Sequence, residues 1–281
     1  MHYSRREVLR YAGAALAGVA GGAVLSTTIG SRIADAEPVP PSGATSTYLT
    51  GSFSSAARRG AQTTWAIARP AGSARSLRAV IALHGRNGDA TGVMDLGVQD
   101  GLAQAMKVGW PPFAVVSVDG GPNDYWHRRA SGSDAGAMVI NELLPMLADQ
   151  GIDTSRVAFL GWSMGGYGAL RLGAILGPTR TAAICAVSPA LWTSYSDVEP
   201  GAFDSADDWA RNGVFGLPVL SQIPVRVDCG TSDRFCTAAR QFAGSLGRRP
   251  AGGFWDGGHG VSFWKRLMAS DLTWLASLLT A

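Results

Sequence analysis

The chain has 281 residues, of which 46% are hydrophobic and 16% charged, a balance that excludes a disordered chain and allows one domain with a sizeable core. The formal net charge is +3. Arg5, Arg6, Arg10 and Arg32 against Glu7 and Asp35 put much of that excess into the first 36 residues, so the rest is close to neutral and nothing in its charge calls for nucleic acid.

Residues 1–36 read as a twin-arginine export signal. Ser4-Arg5-Arg6-Glu7-Val8-Leu9 is followed by an uncharged Ala- and Gly-rich run from Tyr11 to Ile29 and by the small-x-small signal Ala34-Asp35-Ala36. The expected partner during export is the twin-arginine translocase, and the expected location is outside the cell or in its envelope. An uncleaved run would serve as an anchor. Residues 37–62, rich in Ser, Ala and Gly, read as a linker to the first strand.

From residue 63 to 281, short apolar runs alternate with helical stretches. The predicted strands are Thr63–Ala68, Arg78–Leu83, Phe113–Val118, Arg156–Leu160, Ala182–Val187, Pro224–Cys229 and Gly253–Trp255. Runs of this kind, bounded by Gly, Pro or Asp, suit a buried and mostly parallel sheet. A helix capped by Ser133-Asp134 is predicted to run through Ala148. Others are predicted over Met164–Leu176, Phe235–Leu246 and Phe263–Leu279. The expected fold class is therefore α/β, with three layers around a mostly parallel central sheet. Residues 190–222 break the alternation and are expected to be an insertion that covers the substrate.

Gly161-Trp162-Ser163-Met164-Gly165 lies between a predicted strand and a predicted helix. It fits the nucleophile elbow, in which a sharp turn presents a serine and small flanking residues avoid clashes. That pattern predicts the α/β-hydrolase fold, with Ser163 as the nucleophile. A serine hydroxyl needs a base. The chain has four histidines, and only His259 follows Ser163, as the chain order of this fold requires. It sits in the glycine-rich stretch Gly257-Gly258-His259-Gly260. Asp233, after a strand and at the start of a helix, is the leading acid. Asp228 inside the strand and Asp256 beside the histidine are its rivals.

The backbone amides of Met164 and Arg86 are expected to form the oxyanion hole, Arg86 from the loop His84-Gly85-Arg86-Asn87-Gly88. His84 is then structural. Asn87, Trp126 and Trp192 are candidate substrate contacts. Cys229 and Cys236 bracket the Asp233 loop, and a disulfide there would brace it. The histidines show no metal-ligand spacing, and no phosphate-binding glycine motif with a lysine occurs. No metal or cofactor is expected.

Leu83-His84-Gly85, Gly161-Trp162-Ser163-Met164-Gly165-Gly166-Tyr167-Gly168-Ala169-Leu170, Gly230-Thr231-Ser232-Asp233 and Gly257-Gly258-His259 together resemble the esterase D branch of the α/β-hydrolases. S-formylglutathione hydrolases, feruloyl esterases and the antigen 85 mycolyltransferases belong to that branch. Glu142-Leu143-Leu144-Pro145 is similar to the branch's helix before the nucleophile strand. The resemblance spans roughly residues 63 to 279. It implies an esterase acting through an acyl-enzyme on a small-molecule or lipid ester. Antigen 85-like enzymes carry an aspartate in place of His84 and a glutamate as the acid, and the branch often has a tryptophan in place of Val261. These departures favour hydrolysis over acyl transfer to a sugar or lipid acceptor. A non-catalytic binding protein on the same fold is the remaining alternative.

Overall fold

The computed structural model describes residues 48–70, 73 and 76–279. The twin-arginine signal and residues 37–47 of the expected linker lie outside the described residues. Among the described residues the eight strands are β1 (Tyr48–Ser55), β2 (Ala61–Ala68), β3 (Leu77–Leu83), β4 (Ala114–Val118), β5 (Ile152–Trp162), β6 (Thr181–Val187), β7 (Val225–Gly230) and β8 (Ala251–Trp255). They form one sheet in the order β1-β2-β4-β3-β5-β6-β7-β8. The β1–β2 and β2–β4 pairs are antiparallel, and the others are parallel.

The linker expectation needs correction at its second half. Residues 48–62 build β1 and open β2, joined by a tight turn. The segment reads as a linker because an edge strand needs little apolar sequence. Tyr48, Leu49 and Phe53 are the large apolar residues of β1 and pack on the core only in part, and Gly51 leaves room for the Trp65 indole, which a Cβ would meet at 2.3 Å. Glu142 fixes the turn from across the fold, accepting from Ser55 Oγ at 2.5 Å and from the Ala57 amide at 2.7 Å.

The helices are α1 (Ala90–Met94), α2 (Val98–Lys107), α3 (Ala135–Met138), α4 (Leu144–Asp149), α5 (Met164–Arg180), α6 (Ala206–Asn212), α7 (Cys236–Ser245) and α8 (Val261–Leu279). The predicted Asp134 cap is present, its carboxylate accepting from the Ala137 amide at 2.8 Å. The helix it opens is interrupted by a π-turn over Val139–Leu143. Pro145 offers no N–H, so the ladder widens ahead of it. α5 breaks at Gly177, where φ is +73°, close to the predicted end at Leu176. α1 and α2 leave a weak sequence signal because Gly92, Gly97 and Gly101 punctuate them.

Strand alternation divides the core between the two faces of the sheet. Ile81, Leu83, Phe159, Ile184 and Ala186 pack on one face, and Val80, Ala82, Leu160, Cys185 and Val187 on the other. The chain steps from β3 to β4 on one side and returns with β5 on the other. The carboxyl ends of β3 and β5 therefore flank a topological switch point, where open α/β sheets place their sites. Among the described residues no helix is long and apolar enough to cross a membrane.

Candidate active site

β5 delivers Ser163 at the carboxyl edge of the sheet, immediately before α5. Its φ of +56° and ψ of −125° are strained for a residue with a side chain. The turn can close this sharply only because its flanks are glycines. A Cβ on Gly161 would lie 2.1 Å from the Gly165 carbonyl oxygen, and one on Gly165 would lie 2.0 Å from that of Leu83. Asn87, Tyr125, Trp126 and Ser188 also hold positive φ. Each lies near the carboxyl end of a core strand.

Three side chains meet there. The Ser163 hydroxyl lies 2.9 Å from His259 Nε2, and His259 Nδ1 lies 2.8 Å from Asp233 Oδ2. A neutral imidazole with its proton on Nδ1 donates to Asp233 and leaves Nε2 to accept from the serine. Asp233 follows β7 and also accepts from the Phe235 amide at 2.9 Å. Burial pushes the Asp233 carboxyl up. Hydrogen bonds from His259 and the Phe235 amide, with the Ser188 hydroxyl nearby, outweigh it and hold the group below the ordinary carboxylate range. It therefore stays ionised. The imidazole is held between two rings, Phe235 at 5.2 Å and Trp264 at 5.3 Å between centroids. Ser163 is buried at 6% exposure and the Asp233 side chain is shut off from solvent, whereas 18% of the His259 side chain is exposed.

The rival carboxylates lie elsewhere. Asp228 is in β7, on the sheet face, bound to Arg226 Nε at 2.6 Å, Trp255 Nε1 at 2.6 Å and the Gly253 amide at 3.0 Å. Asp256 is exposed. Asp233→Asn is expected to lower kcat by about 10⁴-fold, since an asparagine holds the imidazole in the wrong tautomer. Asp256→Asn should leave turnover near wild type. Steady-state kinetics on a short-chain ester checks both, and equal losses would contradict the assignment of Asp233.

The expected oxyanion loop is adjacent to Ser163. A Cβ on Gly85 would lie 3.3 Å from Ser163 Cβ. Among the described residues, the amides of Arg86 and Met164 donate to no other backbone group. His84 is buried beneath the loop. It accepts from the Gly120 amide at Nε2, 2.9 Å, and its Nδ1 meets the Gly85 carbonyl at 2.7 Å. Burial pushes its pKa down, consistent with a neutral ring used as a brace. His127 is likewise buried, 3.2 Å from Asp208 of the 190–222 segment, and stacks on Phe203. With Arg129, which is bound to Asp204 at 2.9 Å, it docks that segment onto the fold.

Several sequence expectations are corrected here. Trp126 is fully buried, packed on His84 at 5.0 Å, and a Cβ on Gly168 would touch its ring at 2.5 Å. It is a core residue with no surface open to solvent. Trp192 is buried among Tyr125, Phe203 and Phe235 and reaches the site only through Phe235. Asn87 is not among these corrections: it is exposed, and among the described residues its amide donates to the Pro122 carbonyl. Cys229 and Cys236 form no disulfide. Both are free thiols, one inside β7 and the other in the first turn of α7, and both are buried in the core cluster. Burial pushes the Cys229 thiol up strongly, which keeps it protonated.

The sequence offered little sign of Ser188, Phe235 or Glu199 as site residues. Ser188 follows β6 at a φ of +44°. Glu199 belongs to the 190–222 segment and bridges Arg86 at 3.5 Å and Arg234 at 2.6 Å.

The family model Esterase, described as "Putative esterase", matches residues 56–275. No curated protein matches the chain significantly. Among solved structures, a ferulic acid esterase superposes with a TM-score of 0.72 at 18% identity, covering 82% of this chain and 97% of its own. An S-formylglutathione hydrolase from Agrobacterium tumefaciens gives 0.67 at 20% identity, with 83% and 95% covered. Mycobacterium tuberculosis MPT51 gives 0.59 at 18% identity, with 79% and 95% covered. The matched span covers most of the chain and contains the serine turn, the Asp233 loop and the His259 loop, so this chain belongs to the Esterase family and has the α/β-hydrolase fold.

Proposed function

We propose that the protein is an exported serine esterase that hydrolyses carboxylic esters through an acyl-enzyme on Ser163. The observation that carries this reading is the continuous hydrogen-bonded run Asp233–His259–Ser163 at the carboxyl edge of the sheet. His259 Nε2 takes the Ser163 proton as Oγ attacks the ester carbonyl. The Arg86 and Met164 amides hold the oxyanion that develops. The tetrahedral intermediate collapses with loss of the alcohol, which leaves with the proton from His259. Water then attacks the acyl-serine, giving its proton to His259, and Ser163 is regained as the acid departs. Ionised Asp233 orients the imidazole and stabilises its charged form throughout.

Labelling of wild-type protein by a fluorophosphonate, with the adduct mapped to Ser163, tests the nucleophile. Absence of labelling would exclude this mechanism. Product analysis of an ester with and without trehalose separates hydrolysis from acyl transfer, because release of free acid unaffected by the sugar is expected for an esterase. The twin-arginine pattern at residues 4–9 supports export through the corresponding translocase. Fractionation of cells that express the full chain tests it.

A further inference from the structure

Two guanidinium groups stand at the mouth of the candidate active site, and both come from its own loops. Arg86 belongs to the loop whose Gly85 abuts Ser163. Arg234 follows Asp233, and its guanidinium lies 4.8 Å over the Phe235 ring that packs on His259. Both side chains are well exposed, at 41% and 57%. They converge on a single carboxylate, that of Glu199, whose two oxygens are divided between them. One anion therefore sits between two cations, and the group retains a net positive charge. The field of these three groups reaches the core beneath them. The buried Tyr125 hydroxyl is pushed up to about 12, first by burial and then by Glu199, with Arg86 and Arg234 opposing.

Glu199 is not the only acid that ties its segment to the fold. Asp204 and Asp208 already dock that segment through Arg129 and His127. What Glu199 does is occupy, with an internal carboxylate, a position built for one. We propose that Arg86 and Arg234 form an anion subsite that selects esters bearing a second, free carboxylate, such as monoesters of dicarboxylic acids. Glu199 acts as the tethered competitor for that subsite. The inference rests on the esterase reading above. A guanidinium pair recognises a carboxylate by charge and by its forked donors. A neutral ester of equal length gains nothing from it.

The test compares monomethyl glutarate, adipate and pimelate with methyl valerate, hexanoate and heptanoate, following acid release by titration. For at least one length, kcat/KM for the monoester should exceed that for the neutral ester. Arg234→Gln should lower this ratio by about fivefold, mainly through KM, as expected for a partly exposed ion pair. Glu199→Gln should raise the ratio by a similar factor, and added salt should lower it in the wild type. Opposite signs in two surface variants separate the effect from damage to the fold. A wild-type ratio below one at every length, or variants that shift it by less than about twofold, would overturn the subsite while leaving the esterase intact. Failure to hydrolyse any of the six esters, together with no fluorophosphonate labelling, would overturn both.

Discussion

Ser163→Ala is expected to reduce kcat/KM on short-chain esters by at least about 10⁴-fold and to abolish fluorophosphonate labelling. The size follows from what the hydroxyl supplies. Among the described residues the hydroxyl hydrogen-bonded to His259 Nε2 is that of Ser163, so its loss leaves only the oxyanion donors to assist water. The substitution should not unfold the protein. Ser163 is held at φ +56° by the turn, and alanine bears the same strain. Ser163→Gly, equally inactive, should be about 1 kcal/mol more stable than Ser163→Ala because glycine relaxes that strain. Thermal melts of the two variants check the second statement. Retained hydrolysis by both would refute the nucleophile assignment.

The second large effect concerns stability. Arg226 on β7 is ion-paired with Asp228 at 2.6 Å and with Asp271 of α8 at 2.9 Å, all three on the face of the sheet away from Phe159. Both carboxylates are almost wholly buried. The Asp271 carboxyl is pushed up to about 7, chiefly by burial and further by Asp228, against the pull of Arg226. Arg226→Met would leave the two acids facing each other without a cation, and should cost about 3–5 kcal/mol, as when a buried pair loses one partner. That is a large share of the stability of an ordinary domain. Urea unfolding at pH 8 measures it, and a loss below about 1 kcal/mol would show the pair to be better solvated than its burial implies.

The same cluster sets a pH dependence. Asp271 titrates higher in the folded chain than in the unfolded one. Between the ordinary carboxyl value of 3.8 and about 7, the folded state therefore holds the extra proton. The stability tied to this group is present below that window and is lost as pH rises through it. Asp271→Asn, which cannot ionise, should flatten the stability profile across the window. An unchanged slope would assign it to other groups.

The order serine, acid, histidine was legible in the sequence because each element announces itself locally. The serine lies in a glycine-flanked turn between an apolar strand and a helix. Only one histidine follows it, in a glycine-rich loop. Asp233 stands after a strand and opens a helix. The α/β alternation was legible for the same reason, since buried strands of a parallel sheet read as short apolar runs. β1 was hidden because an edge strand needs few apolar residues. Trp126 was misplaced because composition does not say whether an aromatic lines a pocket or fills the core, and only the fold brings His84 and Gly168 against it. Closeness of Cys229 and Cys236 in sequence suggested a bridge, whereas strand and helix geometry leave both as free thiols. Glu199, Arg86 and Arg234 carry no shared signal, because their meeting depends on three separate loops. By itself the sequence determined the fold class and singled out the Ser163 turn and His259 as the candidate nucleophile and base, all of which depend on local pattern and chain order. The tertiary structure alone decided which aromatics are core, which thiols stay free and which charges stand at the mouth of the site, because each depends on contacts between residues far apart in the chain.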